Sequence, residues 1–196
     1  QYGRYGPIDY SVEGFYQLDN GQRPNNEVER SDFVGRFRGQ LTAKDTLYFE
    51  AQRSKLRSGD AIQYYDQSDA SRTVDLKEIQ DPNLFLGYHR VWAPGIHTLF
   101  LGMRLEDDFR FFDPSVSIPF FKQTDGEITR IINPTDNKVR VRSEFEGYSA
   151  ELQQIFATPM NTLIVGGRFQ YGTFDNFNAI SNSLAEFGFL NTRFED

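Results

Sequence analysis

The sequence predicts an all-β chain: an antiparallel up-and-down transmembrane β-barrel of about eight visible strands, alone or as part of a larger barrel, with long loops at one end. Three observations predict it. Apolar and polar residues alternate with period two through most of the chain, the mark of strands with two unlike faces. One strand text recurs three times after a tight turn, as "DTLYFEAQRS", "HTLFLGMRLE" and "NTLIVGGRFQYGTF", each opening on a Thr-Leu pair. The connections also differ in kind, short turns alternating with long polar stretches. The three copies are unequally spaced, which argues against a solenoid and for one strand environment used repeatedly.

The elements follow in order. "IDYSVEGFYQL" alternates Tyr10, Val12, Gly14 and Tyr16 with Ser11, Glu13, Phe15 and Gln17. "SDFVGRFRGQLT" sets Phe33, Gly35, Phe37, Gly39 and Leu41 against Arg36, Arg38 and Gln40, turns through "AKD", and returns as Leu47, Phe49 and Ala51 against Tyr48, Glu50 and Gln52. "NLFLGYHRVW" sets Leu84, Leu86 and Tyr88 against Phe85, Gly87 and His89, and a Pro-Gly turn leads to Leu99, Leu101, Met103 and Leu105 against Phe100, Gly102, Arg104 and Glu106. "EGYSAELQQIF" pairs through "ATPMN" with Leu163, Val165, Gly167, Phe169 and Tyr171 against Ile164, Gly166, Arg168 and Gln170. "EFGFLNTRF" supplies an eighth strand. The segments 54–82 and 107–143 read as long polar loops, with "QTDGEIT" a small hairpin inside the second.

Composition bounds the class. One domain covers residues 1–196, and Phe 19 and Tyr 10 with Gly 16 against Met 2 is a strand-and-turn composition. Cysteine is absent, which removes disulfides, thiolate metal sites and cysteine nucleophiles. The net charge of -7 and pI near 4.9 speak against a nucleic-acid partner. No apolar run approaches the roughly 18 residues of a membrane helix, whereas a membrane β-strand needs only about 9 to 11. Lys is nearly missing from the proposed strands. Their polar faces carry Arg36, Arg38, Glu50, Arg104, Glu106, Glu151 and Arg168, and such arginine and carboxylate sets suit a paired, partly desolvated lumen. Leu47, Phe49, Leu99, Leu101, Leu163 and Val165 are then expected to face lipid. A soluble β-sandwich or barrel that binds carbohydrate or protein through its long loops is the alternative, since it also alternates.

The stretches "LGYHRVWAPGIHTLFLGMRLEDDF" and "FEGYSAELQQIFATPMNTLIVGGRFQYG" resemble hairpins of bacterial outer-membrane β-barrel domains, in particular those found C-terminal to tetratricopeptide-repeat regions. The resemblance spans roughly residues 83 to 175 and names an architecture, not a catalytic site. It implies a bacterial outer-membrane location, a porin-like channel or an anchoring role, and as partners the membrane lipid, other subunits or a periplasmic repeat domain. Barrels of this kind usually continue with more strands, so the chain is expected to be a segment of a longer protein.

No enzyme and no cofactor are expected. His89 and His97 flank the Pro-Gly turn without an evident third ligand, and read as lumen or rim histidines. Ser149 beside His89 would be needed for a barrel-embedded hydrolase. Glu106, Asp107, Asp108 and Asp113 read as a solvated acidic rim, Tyr64, Tyr65, Phe120 and Phe121 as loop aromatics, and Trp92 as a girdle residue.

Overall fold

The computed structural model of the protein describes residues 1–117, 120–132, 137–181 and 186–195. Nine strands form one antiparallel sheet: β1 (Tyr2–Tyr5), β2 (Ile8–Asp19), β3 (Val28–Gln40), β4 (Asp45–Ser58), β5 (Asp75–Ala93), β6 (Ile96–Val116), β9 (Asn137–Ala157), β10 (Thr162–Ser181) and β11 (Glu186–Glu195), paired in that order. The hairpin β7 (Phe120–Thr124) and β8 (Glu127–Ile132) stands in the β6–β9 connection. Every ladder of the large sheet joins strands that follow one another along the chain, apart from the β7–β8 hairpin set between β6 and β9, so the topology is up-and-down. Among the described residues the sheet runs from an edge at β1 to an edge at β11, and no helix is long and apolar enough to cross a membrane.

The eight expected strands are β2 to β6 and β9 to β11, and β1 is additional. The tight turns fold as their residues dictate. At 41–44 the Thr42 hydroxyl accepts from Asp45 N at 3.1 Å, and at 158–161 the Thr158 hydroxyl accepts from Asn161 N at 3.0 Å. At Pro94-Gly95 the second residue has φ +77°, and a Cβ there would strike the Ala157 carbonyl, so glycine is required twice over. The small hairpin expected at "QTDGEIT" is also present, turning on Asp125 and Gly126 at φ 53° and 87°.

The long connections are corrected. What reads as loop is cut back from both ends, 54–82 to the 59–74 loop and 107–143 to the segment around the small hairpin: β4 continues to Ser58, β5 starts at Asp75, β6 continues to Val116 and β9 starts at Asn137. The reason is a reversal of polarity along the strands. Directly paired residues point to the same face, so the ladders trace each face across the sheet. On one face lies the row Ile8, Gly39, Leu47, Tyr88, Phe100, Leu152 and Gly167, bracketed by further apolar positions. Farther from the tight turns this same face carries Lys55, Arg57, Lys77, Asp108, Arg110, Arg142, Glu144 and Asp175. The opposite face begins polar and ends with Leu76, Phe109, Phe111, Val141, Phe145 and Phe174. Alternation continues throughout, but its sense inverts half way up.

We call the first face outer and the second inner, because burial distinguishes them. Glu50, Ser58, Asn83, Asp113, Asn137 and Ser149 are buried on the inner face, while Phe37, Phe49, Leu152, Leu163, Val165 and Phe169 are exposed on the outer. Asp45 is the buried exception on the outer face, under Tyr88 and Arg90, which donate to it at 2.6 and 3.0 Å. Among the described residues no hydrophobic side chain is buried.

Candidate functional site: the inner face of the sheet

Two ladder rows build the middle of the inner face. One reads Asp9, Arg38, Tyr48, Gly87, Leu101, Glu151, Arg168; the next reads Ser11, Arg36, Glu50, Phe85, Met103, Ser149, Gln170. Arg36 reaches Glu13 at 2.6 Å and Glu50 at 3.3 Å. Glu50 also accepts from the Tyr48 hydroxyl and the Gln52 amide. On the far side Arg168 donates to Glu151 through Nε at 2.7 Å and Nη2 at 2.6 Å, and Gln153 adds a third donor. Each carboxylate is met by several donors, which a half-buried charge requires. Arg38 stands 4.0 Å from Asp9.

Five members of the expected polar ladder, Arg36, Arg38, Glu50, Glu151 and Arg168, therefore share one face. Leu47, Phe49, Leu163 and Val165 share the other. The four assignments on β6 are overturned. Leu99 and Leu101 pair with Gln153 and Glu151 on the inner face, while Arg104 and Glu106 pair with Tyr148 and Glu146 on the outer. The cause is local: Val91 pairs with His97 and Ala93 with Ile96, so Trp92 is an extra residue on β5. A one-residue bulge turns over every side chain of the strand that follows, relative to the regular hairpin the alternation suggests. Arg104 then anchors an outer-face cluster, donating to the Pro82 carbonyl at 3.1 Å, to Glu146 at 3.2 Å and to Glu106.

The other expected residues fall as follows. His89 Nε2 and His97 Nδ1 are 3.0 Å apart on the inner face, close to the Pro-Gly turn, and the rings stack. No group of three or more metal-binding side chains forms among the described residues. His89 lies opposite Leu99 and Ser149 opposite Met103, so the ladder keeps serine and imidazole apart. Asp113 is not a solvated rim residue: it is buried and accepts from Ser71 Oγ at 2.9 Å, Thr73 Oγ1 at 2.7 Å and Ser115 N at 3.0 Å, fastening the 59–74 loop to β6. Asp60 and Arg23 fasten the same loop to the β2–β3 connection, Arg23 donating to the Asp60 and Ile62 carbonyls at 2.8 and 2.6 Å. Within that loop the Ser68 backbone N–H and hydroxyl, at 2.9 and 2.8 Å, hold Asp66 below the usual carboxylate range. Trp92 lies on the outer face, with Arg90 4.2 Å above its ring and its indole N–H on Thr98 Oγ1 at 2.8 Å. Tyr64 lies under Arg23 at 5.5 Å and Tyr65 is fully exposed; the Phe120 and Phe121 side chains lie outside the described residues.

Sequence reasoning passed over Glu13, Tyr48, Gln52 and Gln153, although the same alternation places them beside the charged residues. Glu13 in particular already stood in the polar set of its strand. The inner face also holds two apolar hollows of about 330 Å³ each, one around Gly87 and one around Gly147 and Gly172. No protein-family model matches the chain, and no curated protein or solved structure matches it.

Proposed function

We propose that the chain is a β-barrel, or a segment of one, of the bacterial outer membrane, acting without catalysis as a porin-like channel or as the membrane anchor of a larger assembly. The observation that carries this reading is the inside-out distribution of side chains with its reversal along the strands. A soluble sheet buries its apolar face; this one exposes it and buries carboxylates, amides and hydroxyls. A lipid-facing belt with water above it accounts for both halves: apolar outside and polar inside at bilayer depth, charged outside and aromatic inside beyond it. On β10 the belt covers Leu163–Tyr171 and on β2 it covers Ile8–Leu18, and Ile8 stands in the row of Gly167, so the belt climbs across the sheet. Strands tilted by about 35–45° to a membrane would produce that climb. On the inner face the arginines Arg36, Arg38 and Arg168 meet the carboxylates of Asp9, Glu13, Glu50 and Glu151, a nearly balanced lining that suits weak selectivity among small ions.

Two measurements test the proposal. The chain should require detergent or lipid for recovery as a folded species, and a folded monomer in plain buffer overturns the membrane reading. Single cysteines at Asp69 and Asp125 should react with an impermeant reagent on intact cells, whereas cysteines at Lys44 and Met160 should react only after the outer membrane is opened. Equal reaction at all four sites counts against a membrane barrel.

A further inference from the structure

We propose that the hollow between Met103 and Phe174 on the inner face binds the hydrocarbon of a single-chain fatty amphiphile, a long-chain fatty acid in its simplest form, with the polar head at Ser149. This deepens the channel reading by naming a solute class and rests on that reading for the role of the site, although the binding itself requires only the inner face. The hollow lies where Gly147 and Gly172 are directly paired and contribute no side chains of their own, with the Phe145 ring leaning over Gly147 from the row above. Phe145 and Phe174 pair above the gap, Leu105 flanks it, and Ser149 pairs with Gln170 below it. The lining is mostly apolar, which suits a hydrocarbon and not a sugar, whose many hydroxyls each need a partner.

Ser149 identifies the place of the head. It is only 8% exposed, it lines the hollow, and its Oγ has no hydrogen-bond partner. Buried hydroxyls are satisfied in nearly all proteins, so this unmet one, itself sealed from solvent, meets a ligand acceptor once a turn about χ1 points it into the hollow. The inner stripe of β6 passes the same level: Leu105 pairs with Gly147 at the hollow, Met103 pairs with Ser149, and Leu101 and Leu99 continue below beside the ion pairs to the second hollow at Gly87. These are the leucines whose alternation alone points them at lipid; the Trp92 bulge brings them inside, among Tyr48, Glu50 and Glu151, where an apolar rail has no role in solvating ions.

The test uses the protein in lipid nanodiscs, or in buffer if it is recovered folded there, titrated with the fluorescent fatty acid cis-parinarate and then with oleate as competitor. The expected result is a saturable signal above that of empty discs, displaced by oleate. Ser149→Ala should weaken it about five- to tenfold, the worth of one hydrogen bond. Met103→Trp should abolish it by filling the hollow, and the outer-face control Leu152→Ala should leave it unchanged. A signal no larger than that of empty discs, or an affinity unaltered by Ser149→Ala, overturns the proposal. Ser149→Ala removes a single oxygen and keeps the test decisive if Met103→Trp fails to fold. Because the titration runs in either medium, recovery in buffer refutes the membrane reading without deciding the site.

Discussion

Leu152→Arg and Leu101→Arg place the same charge on adjacent strands and on opposite faces, and the structure gives them different costs. Leu152 is exposed on the outer face in the row of Phe100 and Gly167, and the belt on β9 extends from Tyr148 to Phe156. Four residues in each direction are about 13 Å of strand. With a tilt near 40° that is roughly 10 Å of depth on either side, close to half of the ~25 Å apolar band of such barrels. On the membrane reading proposed above, an arginine there meets the middle of the hydrocarbon, where it costs ~2–4 kcal/mol. That corresponds to a loss between about 30-fold and several hundredfold in the folding equilibrium. Leu101 pairs with Glu151 on the inner face, so an arginine finds a carboxylate and the hollow at Gly87; its cost should stay below about 1 kcal/mol. A urea titration of folding into vesicles, read from the single Trp92, separates the two. Equal destabilisation, or a larger effect at Leu101, refutes the assignment of faces.

Deleting Trp92 should remove the bulge and turn β6 over against β5, forcing Arg104 and Glu106 inside and Leu99 and Leu101 outside; the folded yield should collapse, whereas Trp92→Tyr, which keeps the extra residue, should fold at wild-type yield. Asp113→Ala removes an acceptor of three hydrogen bonds and should loosen the 59–74 loop by about 2 kcal/mol, seen as faster proteolytic nicking there with the sheet intact. Asp66 should titrate below the ordinary carboxylate value, and Ser68→Ala should return it upward in a carbon-detected NMR titration. Because that value is lowered by folding, the contribution of Asp66 to loop order is complete above the ordinary carboxylate range and is lost as the pH falls through the depressed value.

Much of this architecture was legible in the sequence because strand periodicity is written residue by residue. The three hairpins, the eight strands and the "QTDGEIT" turn follow from alternation and from Pro, Gly, Asp and Thr at the turns. Two features were not legible, each for a physical reason. The sense of β6 depends on whether Trp92 is counted into a regular hairpin or set aside as a bulge, and alternation is silent on that choice because both leave period two unbroken. The far halves of β6 and β9 read as loop because their outer positions are charged and their inner ones aromatic. The stretch "NKVRVRSEF" nonetheless alternates strictly, and a search for period two without a fixed sense would have found it. In the site, Glu50, Arg36, Glu151 and Arg168 were legible as members of one polar face, whereas their ion-pair partners were set by register, which links Arg36 to Glu13 as well as Glu50.

The reversal of polarity connects these features. A strand that crosses a bilayer and then continues into water has to change which face is apolar, because its outer neighbour changes from hydrocarbon to solvent while its inner neighbour changes from ions to other side chains. On β9 the change falls between Tyr148 and Glu144, and on β10 between Tyr171 and Asp175, two directly paired positions in each case. The paired glycines Gly147 and Gly172 lie at this same level on the inner face. There the polar lower lining ends at Ser149 and Gln170, and the aromatic upper lining begins at Phe145 and Phe174. The two glycines supply no side chain at the junction, and the Phe145 ring leans over Gly147 from above, so the gap has one polar end and one apolar end. On the membrane reading proposed above, the proposed amphiphile site lies where the strands pass from one solvent to the other, at the level of the paired glycines.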